Sequence, residues 1–163
     1  MTSGHNSRGP LCGLTAVCGL SMDPASRYLR PAPEQPWTPA AAAVRDLVAA
    51  ELPGWGPTGL IGNWYRTGDD SISWHADDEP ALGTDPVVVS VSLGAPRAFR
   101  LRPRGGGPST VVELGHGDLL VMGGRTQTEF VHVITKTERV VGPRVSLTFR
   151  RYRAQLVPLP SRP

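Results

Sequence analysis

Trp74–Pro80 reads WHADDEP, one imidazole followed by three carboxylates, in a chain of 163 residues with only four histidines. His75 and Asp77 stand two positions apart, so on an extended strand both side chains leave the same face. Such a pair can hold a divalent cation if a third ligand arrives from elsewhere. His5, His116 and His132 are the candidates. His5 lies in a polar terminal stretch, and His116 sits in GHGD, the composition of a turn. His132, in FVHVI, has apolar neighbours in a short strand-like run, which turns its imidazole inward. By itself such a residue is more often a satisfied core histidine; beside His75 and Asp77 it is the favoured candidate for a third ligand.

RVSLTFR, residues 144–150, carries a second set of groups. Arg144, Ser146, Thr148 and Arg150 share one strand face, and Val145, Leu147 and Phe149 share the other. Asn63 and Tyr65 pair up in the same way earlier in the chain, as do Ser90 and Ser92. Parity leaves two readings open: a solvated outer face, or a hydrated cavity lined by His, Asp, Asn, Tyr and Arg. Two histidines and one carboxylate with open positions form the facial triad of non-haem Fe(II) oxygenases, and zinc accepts the same donors. An oxygenase that consumes 2-oxoglutarate also needs a cation for the distal carboxylate of that cosubstrate. An inward arginine offers it a planar fork of donors.

These groups need a scaffold, and the chain is long enough for one ordinary core. Hydrophobic residues make up 39% and charged residues 19%, which suits a globular protein rather than a disordered one. With 19 glycines and 17 prolines, turns should be frequent and helices few. One helix is expected over 38–52, capped by Thr38, with Pro39 at its first position and Pro53–Gly54 stopping it. Val44, Leu47, Val48 and Leu52 form its apolar stripe. From residue 58 the pattern becomes strands: TGLIGNWY, SISWHAD, PVVVSVSLG, RAFRLRPR, STVVELG, DLLVMGG, FVHVIT and RVSLTFRRY. Eight short strands after one helix predict a mainly β protein built as a double-sheet roll or closed barrel.

Other classes are disfavoured. No apolar run approaches a membrane span, and the amino terminus lacks the pattern of a secretory signal, so a cytoplasmic protein is expected. Cys12 and Cys18 do not match zinc spacing and read as reduced thiols. The formal charge of +3 permits a polyanionic partner without arguing strongly for one.

NWYRTGDDSISWHADDEPALG, PVVVSVSLGAPRAFRLR, HGDLLVMGGRTQ and GPRVSLTFR resemble, in order and spacing, the AlkB family of Fe(II)- and 2-oxoglutarate-dependent dioxygenases. The resemblance covers residues 58–152, and more loosely the PWTP helix before them. It implies a double-stranded β-helix (jelly-roll) core that oxidatively removes alkyl groups from nucleobases of DNA or RNA. Iron, 2-oxoglutarate and dioxygen would be consumed or held, with formaldehyde, succinate and CO2 released. By the same resemblance, His75, Asp77 and His132 are the catalytic iron ligands. Arg144, helped by Tyr65, pairs with the distal cosubstrate carboxylate, while Arg150 and Asn63 lie near the chelating one. Ser146 stands where several relatives carry Asn, so that contact is shortened or lost. Glu79 matches an acid that hydrogen-bonds the damaged base, Asp78 supports the same loop, and Arg97 and Arg102 match a region that meets the nucleic-acid backbone.

Three segments are expected: 1–36, a shortened remnant of a nucleotide-recognition lid with Tyr28 as its nearest stacking aromatic; 37–153, the catalytic domain; and 154–163, a flexible tail. A monomer is expected. Two alternatives remain at this point: a 2-oxoglutarate-dependent hydroxylase of a protein or small molecule, and a non-catalytic nucleic-acid-binding β-roll.

Overall fold

Alternation of inward and outward side chains along the strands from residue 59 onward builds two principal sheets. The computed structural model describes residues 36–139 and 141–153, with the backbone alone of 14–18, 20–21 and 30–31. The expectations placed on Tyr28, on the thiols of Cys12 and Cys18, on the side chains of a lid remnant and on a flexible tail over 154–163 lie outside those residues.

The order is β1 (Leu14–Cys18), β2 (Leu20–Ser21), β3 (Arg30–Pro31), α1 (Pro39–Glu51), β4 (Gly59–Tyr65), β5 (Ile72–His75), β6 (Val88–Gly94), β7 (Arg97–Pro103), β8 (Thr110–Leu114), β9 (Leu119–Met122), α2 (Thr126–Glu129), β10 (Phe130–Ile134) and β11 (Arg144–Arg150). Among the described residues, one sheet runs β1-β4-β11-β6-β9, a second β5-β10-β7-β8, and β2 pairs with β3 in a small third, every pairing being antiparallel. The eight strands expected from residue 58 onward are β4 to β11, and their arrangement is the expected double-stranded roll. β1 pairs with β4, so the sheet reaches across the boundary expected at residue 36.

The helix forms as its sequence requires. Thr38 accepts a hydrogen bond from the Ala41 N–H at 3.2 Å, and Pro39 occupies the position where a missing N–H costs nothing. Its apolar side lies on the outer face of the five-stranded sheet. There Ala41 and Val48 pack with Leu60, Val89, Val91 and Phe149, and Val44 and Leu52 flank them. Leu47 departs from the expected stripe and is 70% exposed. It sits one residue, about 100° of helix rotation, away from the Ala41–Val44–Val48 line.

Between the sheets lies a second core of Tyr65, Val88, Phe99, Leu114, Met122 and Ile134. β11 runs through the middle of the larger sheet and is covered on both sides. Phe149 is fully buried under α1, whereas Arg144, Ser146, Thr148 and Arg150 are all buried on the inner side. The polar face of β11 is therefore interior, and the solvated outer face that parity left open is excluded. The turn into β7 depends on Gly94, whose φ is +98° and where an added Cβ would stand 2.3 Å from the Pro143 carbonyl.

Candidate active site

Strand register brings the first two residues together: His75 on β5 and His132 on β10 are direct cross-strand partners, with ring centroids 4.3 Å apart. Phe99, one strand further, stacks on His132 at 5.2 Å. Asp77 joins them from a different kind of element. β5 was expected to continue through Asp77 but ends at His75, so shared strand parity is not what aims this carboxylate. It is aimed instead by Arg150, whose guanidinium bonds Asp77 Oδ1 from the end of β11, and by Gln127 from α2. The donor atoms of His75, Asp77 and His132 all lie within 4.8 Å of one another.

The protonation pattern suits a metal. His75 Nδ1 lies 2.8 Å from the Ser73 carbonyl, which can only accept, so Nδ1 donates there and Nε2 is the ring nitrogen left to serve as a ligand. Burial pushes the pKa of His132 down to about 4, and His75 acts in the same direction against the opposing pull of Asp77. His132 is thus neutral at neutral pH. Its Nε2 is 3.8 Å from Asp77 Oδ2, beyond hydrogen-bond reach, and its Nδ1 has no partner among the described residues. Two imidazoles and a carboxylate converge without satisfying one another, and a divalent cation would satisfy all three.

Arg144 is 2% exposed and donates to Ser92 Oγ at 2.5 Å. Its guanidinium lies 5.1 Å from the centre of the Tyr65 ring, its register partner on β4. Burial lowers its pKa, and Tyr65 opposes that shift. Among the described residues, Nε and NH1 of Arg144 are buried without hydrogen-bond partners, as are Nε and NH1 of Arg150. Burial also works against the charge of Arg150, but Asp77, Tyr152 and Glu79 outweigh it and raise the pKa. A buried, unsatisfied N–H costs about 1–3 kcal/mol, more when charged, so these forks favour an anion with several acceptor oxygens. A dicarboxylate meets that requirement.

The remaining expected residues divide. Ser146 is buried opposite Asn63 and shares a 2.9 Å hydrogen bond with Ser90, so both belong to the inner face. Glu79 follows Asp77 on the same loop and has a buried Oε2 with no hydrogen-bond partner among the described residues. Asp78 turns away, pairing with Arg104 at 2.5 Å on a groove of about 260 Å³. Arg102 lies 4.2 Å over the Trp74 ring on the outer side of the smaller sheet. Arg97 requires a correction. It is 3% exposed and donates to the carbonyls of Thr67, Asp70 and Thr135 at 3.1, 2.8 and 2.7 Å. With its donors spent on the interior, it ties loops together and is not available to a phosphate. Gln127 was missed altogether; a glutamine shortly before FVHVI carries no signal of its own.

A double β-roll whose interior holds two histidines, a carboxylate and paired arginines defines the class of non-haem metal oxygenases that use an anionic cosubstrate. Residues 5–150 match the 2OG-Fe(II) oxygenase superfamily. The chain belongs to that superfamily, in its AlkB branch. Its relatives include alpha-ketoglutarate-dependent dioxygenase alkB homolog 3 of Mus musculus, 46% identical over 100 residues, 56% of this chain and 35% of the relative. The Homo sapiens homolog 3 is 39% identical over 127 residues, 72% of this chain and 44% of the relative. DNA oxidative demethylase ALKBH2 of Homo sapiens is 38% identical over 153 residues, 85% of this chain and 52% of the relative. The chain therefore spans about half or less of the length of these curated relatives. The solved structure of OsALKBH1 shares the fold, with a TM-score of 0.63 at 22% identity over 93% of this chain and 83% of that one. The family takes Fe(II), 2-oxoglutarate and dioxygen, and the His75–Asp77–His132 cluster fits the metal. Among the described residues, no helix is long and apolar enough to cross a membrane.

Proposed function

We propose that this chain is an Fe(II)- and 2-oxoglutarate-dependent dioxygenase that oxidatively dealkylates N-alkylated nucleobases in DNA or RNA. One observation carries the reading: three converging ligands and two buried arginines line the same interior from opposing sheets, and among the described residues each arginine keeps donor nitrogens without a hydrogen-bond partner. In this reading His75, Asp77 and His132 hold the metal. Arg144, with Tyr65 beside it, takes the distal carboxylate of 2-oxoglutarate, and Arg150 and Asn63 flank the other end, where Arg150 also orients Asp77. When bound, Fe(II) and 2-oxoglutarate would activate dioxygen, the oxidant: one oxygen atom would enter succinate as 2-oxoglutarate loses CO2, and the other would hydroxylate an N-alkyl carbon, which would leave as formaldehyde when the group is methyl.

The chain's own contribution is to bind, orient and dehydrate. The interior face keeps water from competing for Arg144, so its charge acts in a medium of low dielectric. Glu79 offers a buried acceptor oxygen to an amino or ring N–H of the base, which must be unpaired or flipped out to reach it. The relatives, a DNA oxidative demethylase among them, favour a nucleobase over other alkylated substrates. The test is succinate and formaldehyde release with Fe(II), 2-oxoglutarate and a methylated oligonucleotide, against its unmethylated twin. Products should appear in proportion to restored bases. Turnover of 2-oxoglutarate without any base restored, or turnover that only peptides or metabolites stimulate, overturns the substrate assignment.

A further inference from the structure

The loop that carries Asp77 presents a structural problem. The β5–β10 ladder reaches its end at the His75–His132 pair, so the N–H of Asp77, two residues on, has no strand to donate to. Asp77 is nevertheless only 2% exposed, and water does not solve the problem. Gln127 does. Its side chain is fully buried, comes from α2, and places Oε1 2.9 Å from the Asp77 nitrogen. The amide orientation is set by that contact, because a backbone N–H can only donate. The other end of the amide, Nε2, finds the weakly accepting Sδ of Met122 at 3.5 Å.

We propose that Gln127 is a positioning residue that sets the distance between the Asp77 carboxylate and His132. The role rests on reading His75, Asp77 and His132 as a metal site. α2 runs directly into β10, so the segment that delivers His132 is also the segment that grips Asp77. A second latch keeps the two parts in step. Arg104 donates to the Gln127 carbonyl at 2.8 Å and to Asp78 Oδ2 at 2.5 Å, and its N–H reaches the Glu129 carbonyl at 2.9 Å. Arg150 restrains the carboxylate of Asp77, and Gln127 restrains its backbone. Without Gln127 the loop must rotate to hydrate the Asp77 N–H, and that rotation carries the carboxylate away from His132.

Partners of metal ligands typically change metal affinity by about 10- to 100-fold when removed. Gln127→Met keeps the length and approximate volume but offers no comparable acceptor. Gln127→Asn keeps the amide but is one methylene too short to reach. Thr128→Val is the control: it removes the 2.7 Å bond to Asp85 from the same short helix and touches no ligand. Binding of Mn(II) by isothermal titration calorimetry without oxygen reads the effect apart from turnover. The Co(II) visible spectrum reads ligand geometry, and apo-protein melting reads stability. We expect both Gln127 variants to bind Mn(II) about 10- to 100-fold more weakly, with an altered Co(II) spectrum, while Thr128→Val binds like wild type. If one Gln127 variant does not fold, the other decides. Wild-type affinity in a folded Gln127 variant, or an equal loss in Thr128→Val, overturns the proposal while leaving the metal site intact. Wild-type protein that binds no Mn(II) overturns the metal reading itself, and this role with it.

Discussion

Replacing Arg97 by methionine deletes a buried guanidinium whose volume methionine partly retains. Three carbonyls, of Thr67, Asp70 and Thr135, lose a charged donor at 3.1, 2.8 and 2.7 Å, and Tyr65 loses the cation 5.5 Å from its ring centre. Hydrogen bonds to charged groups contribute about 1.5–3 kcal/mol each, so three set a gross loss of roughly 4.5–9 kcal/mol. Part of that is recovered because the charge no longer has to be kept out of water, which leaves a net destabilisation of about 3–5 kcal/mol. For a chain of this size, each kcal/mol moves the melting point by about 2–4 °C, so Tm should fall by roughly 6–20 °C. Differential scanning calorimetry or a urea titration measures it. Arg102→Met, which removes only a surface cation–π contact with Trp74, should cost no more than about 1 kcal/mol. If Arg97→Met melts with wild type and instead loses oligonucleotide affinity, the structural assignment of Arg97 is wrong and the nucleic-acid contact expected from the sequence returns.

Arg144→Met should raise the KM for 2-oxoglutarate by about 10- to 100-fold, the loss of one charge-assisted hydrogen bond in a buried site, measured by succinate release. An unchanged KM would remove Arg144 from the cosubstrate site. Asp70 supplies a pH dependence. Its hydrogen bonds with Arg66 hold the carboxyl well below the usual carboxylate range. A depressed carboxyl contributes stability that is complete above its unfolded value of about 3.9 and is lost as pH falls toward the folded value. Wild type should therefore lose more urea stability than Asp70→Asn between pH 6 and pH 3 on titration; parallel losses would contradict this. Thr38→Ala should cost about 1 kcal/mol in urea titrations by uncapping α1, and no change would mean that the cap is redundant.

Much of this site is legible in the sequence, and for local reasons. Period-two alternation marks a strand face whatever surrounds it, so Arg144, Ser146, Thr148 and Arg150 could be grouped from residues 144–150 alone. Cap chemistry is equally local, which is why Thr38 and Pro39 marked the start of α1. Where the sequence misled, the cause was nonlocal. Leu47 looked like stripe because helix periodicity does not say which angle the sheet will cover. Arg97 matched a nucleic-acid contact because position along a strand does not reveal which carbonyls come within reach of a side chain.

The sequence by itself determined the chemical inventory and its local directions: two histidines and an aspartate able to hold a metal, arginines sharing a strand face, and eight strands following one capped helix. These follow from covalent geometry and composition, which each segment carries with it. Only the tertiary structure decided that the polar face of β11 is interior, that His75 and His132 lie opposite each other in register, and that Asp77 reaches them through Gln127 and Arg150. Those outcomes depend on hydrogen bonds and desolvation between segments fifty or more residues apart, and no single stretch of chain encodes its own distant partner.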